Sequence, residues 1–124
     1  VLRIEAQGAA ALLTGDIERA AEAMVAQRPV RADVLLVPHH GSRTSSSAEF
    51  IAAVAPRWAI VPAGYRNRFG HPAREVLERY RSAGARVLRT DLDGAVHIVL
   101  RGELAPPQGE RTLRPRYWRR SPSV

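Results

Sequence analysis

Val34-Leu35-Leu36-Val37-Pro38-His39-His40-Gly41-Ser42 passes from an unbroken apolar run straight into two imidazoles, a glycine and a hydroxyl. A short apolar run of this kind suits a strand covered on both faces, as in parallel sheets flanked by helices. Upstream, Val1–Glu5 and Ala9–Thr14 read as strands joined by a tight turn at Gln7-Gly8. Asp16–Gln27 then reads as a helix, because Ile17, Ala20, Ala21, Met24 and Val25 recur on one face at helical spacing. Downstream, a helix from about Ser47 to Val54 opens on a capping-box pattern, Ser46-Ser47-Ala48-Glu49, with Phe50, Ile51 and Val54 facing inward. Trp58–Val61 is the next buried strand. Pro72–Ser82 is a helix with Val76, Leu77 and Tyr80 on one side and Gly84 as its stop. Val87–Arg89 and Val96–Leu100 read as a last strand pair around the turn-forming Asp91-Leu92-Asp93-Gly94. This alternation predicts an α/β fold, a mixed sheet with a largely parallel centre and flanking helices. The expected organisation is one domain over 1–102, then a Pro/Arg-rich tail over 103–124 that lacks periodicity and is expected to be disordered.

Composition narrows the chemistry. The chain has 124 residues, 45% hydrophobic and 25% charged, enough for one modest core. It has no cysteine, which excludes disulfides, thiolate ligands and thiol nucleophiles. No apolar run approaches the roughly 18 residues a membrane crossing needs. The formal charge is +7, and all 19 basic residues are arginine. Residues 101–124 carry six of those arginines against two glutamates. Arginine suits bidentate phosphate contacts, so the balance is compatible with an anionic partner. A GC-rich genome would leave the same bias.

In open α/β sheets, ligands bind where the loops at the carboxyl ends of the strands converge. Here those loops carry Gly15-Asp16, then His39 to Thr44, then Ala63 to His71, then Asp91. Asp16 suits a helix cap or a metal carboxylate, with Thr14 the alternative cap. The adjacent His39 and His40, followed by Gly41, allow one imidazole to face the rim while the other packs behind it. One histidine and one carboxylate suit Zn²⁺ or Mn²⁺ but do not complete a site, since catalytic zinc takes three protein ligands. Arg43, Arg66 and Arg68 are candidates for an anion-binding edge. A triad from Ser42, a histidine and an aspartate lacks the nucleophile-elbow sequence. His97 reads as structural, and Asp91 and Asp93 as turn residues, with a rim position the alternative for Asp91.

Leu12 to Asp16, Val37 to Ser42 and Ala63 to Pro72, taken in that order, resemble the C-terminal metallo-β-lactamase-like domain of the ComEC competence-protein family. The similarity runs from about residue 1 to residue 100. It implies an αββα sandwich, with this chain as its C-terminal half, and one or two divalent ions at the sheet edge. It also implies metal ligation by Asp16 and by His40, with His39 the alternative. Asn67 and His71 are expected to line the substrate side, joined by Ser42, Arg43, Arg66 and Arg68 on substrate phosphates. The implied activity is metal-dependent phosphodiester hydrolysis on DNA, within a soluble domain of a cytoplasmic-membrane uptake protein. Two alternatives are a non-catalytic DNA-binding module and a small-molecule phosphoesterase. The family carries an upstream His-x-Asp-x-Asp-His motif that this chain lacks, so metal binding by the chain alone is expected to be weak. Its partners are expected to be DNA, the rest of its parent protein, and further copies of itself through exposed sheet edges.

Overall fold

The computed structural model describes residues 1–118. Five strands form one mixed sheet in the order β1 (Leu2–Ala6), β2 (Ala9–Leu13), β3 (Val34–Leu36), β4 (Trp58–Val61) and β5 (Arg86–Arg89). β1 and β2 are an antiparallel hairpin turned at Gln7-Gly8, and β2 through β5 run parallel. Helices α1 (Arg19–Ala26), α2 (Ala48–Val54) and α3 (Arg74–Ser82) make the crossovers. This is the α/β class that the strand–helix alternation predicts.

The period-two alternation of the central strands divides the core. Leu35, Ala59 and Val61 face Phe50, Ile51 and Val54 of α2 and Val76, Leu77 and Tyr80 of α3. Val34, Trp58 and Ile60 point to the other side, where Leu104 is buried and Val96, Ile98 and Leu100 pack. Both faces of β3 and β4 are therefore covered, as their uninterrupted apolar sequence requires.

Several local expectations change. The first helix starts at Arg19 with Glu18 before it, so Asp16 caps nothing. Only part of its apolar stripe faces the core: Ile17 and Val25 pack against it, while Met24 is 69% exposed and Glu22 is fully buried. Alanine contributes little to hydrophobic periodicity, so an Ala-rich helix leaves its inward face undetermined. α2 is capped by Ser47, whose hydroxyl accepts from the Phe50 N–H at 3.3 Å, one residue later than the capping box places it. α3 begins at Arg74 rather than Pro72. The expected pairing of 87–89 with 96–100 does not form. β5 joins the parallel sheet beside β4, and Thr90–Asp93 is a helical turn, α4. β6 (Val96–His97) pairs instead with β7 (Gln108–Gly109), which leads into α5 (Glu110–Leu113).

Part of the stretch read as an aperiodic tail thus contains β7 and α5. Arg111 reaches back to donate to the carbonyls of Asp91 and Leu92, each at 2.9 Å. Isolated anchors such as Leu104 and Arg111 leave no periodic trace in sequence. The remainder of that stretch, 119–124, lies outside the described residues.

Candidate functional site

The parallel strands deliver three loops to one edge. After β2, Thr14 is buried and its hydroxyl donates to Leu36 O at 2.6 Å, pinning the start of the Gly15-Asp16 loop to β3. The Asp16 carboxylate is left free of backbone duties, with its side chain 70% exposed.

After β3, Pro38–Gly41 forms a tight 3₁₀ turn. Both histidines in it adopt left-handed backbone conformations, φ 47° at His39 and 56° at His40. Non-glycine residues adopt that region at a cost, and it is held here by neighbours. The His39 N–H donates to Gly15 O at 3.1 Å, and Ser45 Oγ donates to both Pro38 O and Ser42 O at 2.9 Å.

The result is a specific orientation of His40. Its Nδ1 lies 2.8 Å from Pro62 O. A carbonyl only accepts, so Nδ1 carries a proton, and in the neutral ring Nε2 keeps its lone pair. That Nε2 faces Asp16 Oδ1 at 3.6 Å. His39 is oriented differently. Glu18 Oε1 stands 3.0 Å from its Nδ1, but out of line for a hydrogen bond, so this buried ring nitrogen has no hydrogen-bond partner.

After β4, Thr90 Oγ1 accepts from Ala63 N–H and donates to Ala63 O, clamping the start of the 63–71 loop to the end of β5. Asn67 spends its whole amide within this loop. Its Oδ1 accepts from His71 N–H at 3.0 Å, and its Nδ2 donates to His71 O at 2.6 Å and Gly64 O at 3.2 Å. The His71 ring sits 6.1 Å from that of His39 and 6.1 Å from Phe69, nearly parallel to the latter. Arg66 lies over the Tyr65 ring and Arg68 over the Phe69 ring, at 5.3 and 5.1 Å. Both aromatic rings are about two-thirds exposed, at 66% and 69%.

The fold thus brings Asp16, His39, His40 and His71 to one edge, with the Arg66–Arg68 loop beside them. The other candidates are held by neighbours of their own. Ser42 is buried and its hydroxyl contacts Thr44, with no histidine partner. Arg43 extends toward Glu75 at 3.9 Å. Asp91 is buried and gripped by the Arg89 guanidinium at 2.6 and 3.1 Å. His97 is exposed and lies 3.0 Å from Glu110.

Asp16 and His40 fit part of a divalent-metal ligand set. The histidine offers Nε2 with its other nitrogen fixed on a carbonyl, the usual support for a ligating imidazole. Among the described residues, however, no group of three or more ligand-type side chains converges closely enough to hold a metal. The residues present supply two donors, one short of the three that catalytic zinc takes.

Sequence reasoning missed Glu22, Arg79 and Tyr80, which grip the turn behind the histidines. The one available signal was a carboxylate inside an Ala-rich helix.

The site and sheet define an α/β chain with a His/Asp cluster at the carboxyl edge of its parallel strands. No protein-family model matches the chain. It is 39% identical over 125 residues to Competence protein ComA of Neisseria gonorrhoeae, covering 98% of this chain and 18% of that protein. It is 43% identical over 98 residues to ComE operon protein 3 of Bacillus subtilis, covering 77% of this chain and 13% of that protein. Recombination protein 2 of Haemophilus influenzae is 38% identical over 87 residues, 70% of this chain and 11% of the relative. These relatives point to the ComEC/ComA competence family. The chain spans less than a fifth of the length of the relatives it matches.

Proposed function

We propose that this chain contributes Asp16 and His40 to a divalent-metal centre that hydrolyses phosphodiester bonds of DNA, as part of a membrane-anchored DNA-uptake protein. The observation that carries the reading is His40: its Nδ1 is committed to Pro62 O and its free Nε2 faces Asp16 across 3.6 Å. The competence-named relatives support DNA as the substrate. The remaining donors come from outside the described residues, in keeping with the His-x-Asp-x-Asp-His motif that the resemblance implies. Bound Zn²⁺ or Mn²⁺ would supply an activated water and neutralise charge on phosphate. Arg66 and Arg68, together with Arg43, would steer the DNA backbone by charge. No helix among the described residues is long and apolar enough to cross a membrane.

The test is DNA cleavage by the full-length protein. Asp16→Ala, His40→Ala and chelation are each expected to lower the rate by about 100-fold or more. Calorimetry with Mn²⁺ and Zn²⁺ is expected to show tight binding by the full-length protein and weak binding by residues 1–124. Undiminished, chelator-resistant cleavage by both variants would overturn the metal reading.

One observation favours a second reading, a DNA-binding module without catalysis: the exposed Tyr65 and Phe69 with arginines over their rings. It predicts salt-steep DNA binding that survives both substitutions and no cleavage by the full-length protein.

We also propose that the isolated chain self-associates. β1 is a sheet edge with Leu2 57% and Ile4 40% exposed. Beside it runs a cavity of about 560 Å³ lined by Val1, Leu12, Met24, Val25 and Val30. An unpaired edge next to apolar surface templates association. Light scattering should show dimers or larger species at tens of micromolar and a shift to monomer in Ile4→Lys. A monomer at every concentration would refute this.

A further inference from the structure

Glu22 is the one carboxylate among the described residues with 0% exposure, and nothing in the proposed chemistry uses it. Its helix carries it under the Ser45-Ser46-Ser47 turn. There Oε1 accepts from the Ser46 N–H at 2.5 Å and Oε2 accepts from the Ser47 N–H at 2.9 Å. Ser46 itself holds a left-handed backbone, φ 60°.

The other side of the same turn is held by α3. Arg79 Nη1 donates to the carbonyls of Ser45 and Ser46, and the Tyr80 hydroxyl donates to Ser46 Oγ at 2.9 Å. Ser46 therefore has a carboxylate on its N–H and a guanidinium on its C=O. The buried carboxylate and the part-buried guanidinium compensate each other through a polarised backbone rather than by direct contact. Buried charges need this kind of compensation, and removing one partner leaves the other exposed to the full desolvation cost.

The turn so fixed is the one that fixes the histidines. Ser45 Oγ donates to Pro38 O and Ser42 O, the two ends of the His39–His40 turn. At the start of the same helix, Glu18 just ahead of it accepts from Thr44 Oγ1 at 2.8 Å, and the Arg19 N–H donates to Thr44 O at 3.3 Å. Helix α1 thus grips the segment 44–47 at two successive turns.

We infer that Glu22 is a positioning residue: by clamping Ser46 and Ser47 it holds the Ser45 hydroxyl under Pro38, and so holds His40 with Nδ1 on Pro62 O and Nε2 toward Asp16. The importance of that orientation rests on the proposed function; the coupling itself does not. The experiment reads it without metal or DNA.

Long-range ¹H–¹⁵N NMR of the imidazoles at about pH 8.5, where an ordinary histidine is neutral, reports the His40 tautomer directly. The wild-type chain is expected to show Nδ1–H alone. In Glu22→Gln, one carboxylate oxygen becomes an NH₂ facing a backbone N–H, donor against donor. The Ser46 and Ser47 amides are then expected to exchange at least ~10-fold faster, as loss of a charged hydrogen bond implies, and His40 is expected to move to a tautomer mixture. Faster exchange with His40 still in one tautomer would overturn the proposal and leave Glu22 a support of α2 only. Should Glu22→Gln fail to fold, Ser45→Ala cuts the link to Pro38 and leaves the Glu22 contacts in place. Loss of the single tautomer there supports the coupling, and its retention refutes it. A fixed tautomer lost in both variants, together with metal-independent cleavage in the full-length protein, would sink the metal reading while leaving this one standing.

Discussion

Tyr80→Ala is expected to cost about 3–5 kcal/mol, the range for deleting a fully buried aromatic ring. Tyr80 is 0% exposed and is the largest fully buried side chain of the core between α2, α3 and the sheet. Its substitution also removes the hydroxyl that donates to Ser46 Oγ. Tyr80→Phe separates the two contributions: it keeps the packing and loses one hydrogen bond, about 1 kcal/mol at neutral pH.

The two residues also differ in alkali. Burial pushes the Tyr80 phenol well above its ordinary range and the nearby Glu22 charge adds to this, while the Ser46 hydrogen bond and Arg79 oppose it. The native phenol keeps its proton where the unfolded one releases it, so above about pH 10 the unfolded state binds fewer protons and stability falls as pH rises. The slope is about 1.4 kcal/mol per pH unit. The chain has no lysine to obscure this limb. Urea midpoints between pH 8 and 12 should therefore fall for wild type and fall less for Tyr80→Phe, with the curves crossing in alkali. Parallel curves would show that another group governs the limb.

Gly41→Ala is expected to cost about 2–4 kcal/mol, combining a left-handed backbone with overpacking. Gly41 has φ 77°, and a Cβ there would stand 2.7 Å from Pro72 Cβ and 3.2 Å from Pro72 Cα. Proline cannot swing away, so the strain falls on the contact between the histidine turn and the 63–72 loop, where Gly41 O also accepts from Ala73 N–H at 2.9 Å. Gly70→Ala is the control: its φ is 66°, but nothing lies within 4 Å of an added Cβ. It should cost about 1 kcal/mol, the backbone contribution alone. Equal denaturation midpoints for the two variants would show that the Pro72 contact is not limiting.

The parts legible in sequence were those written in one dominant signal. The β3 and β4 runs are apolar on both faces, so their burial and parallel pairing followed directly. The rim position of Asp16, His39, His40 and His71 followed from strand ends alone. What stayed hidden depends on contacts between distant residues. Glu22 is buried because Ser46 and Ser47 present N–H groups to it across 24 and 25 positions. The Asn67 amide is used on His71 and Gly64, bonds that its place in the loop sequence does not announce. The partner of β6 could not be read because β7 is two residues long and follows a proline-rich stretch.

The two consecutive left-handed histidines have a consequence for how this loop can change. Each occupies backbone territory that glycine enters freely and an imidazole enters at about 1–3 kcal/mol. A folding-only criterion would therefore favour glycine at 39 and 40 over what stands there. The turn behaves as a loaded spring whose tension is borrowed from the surrounding frame of α1, Ser45 and Pro62. Drift toward a tougher protein would empty this corner of its chemistry before it disturbed the sheet.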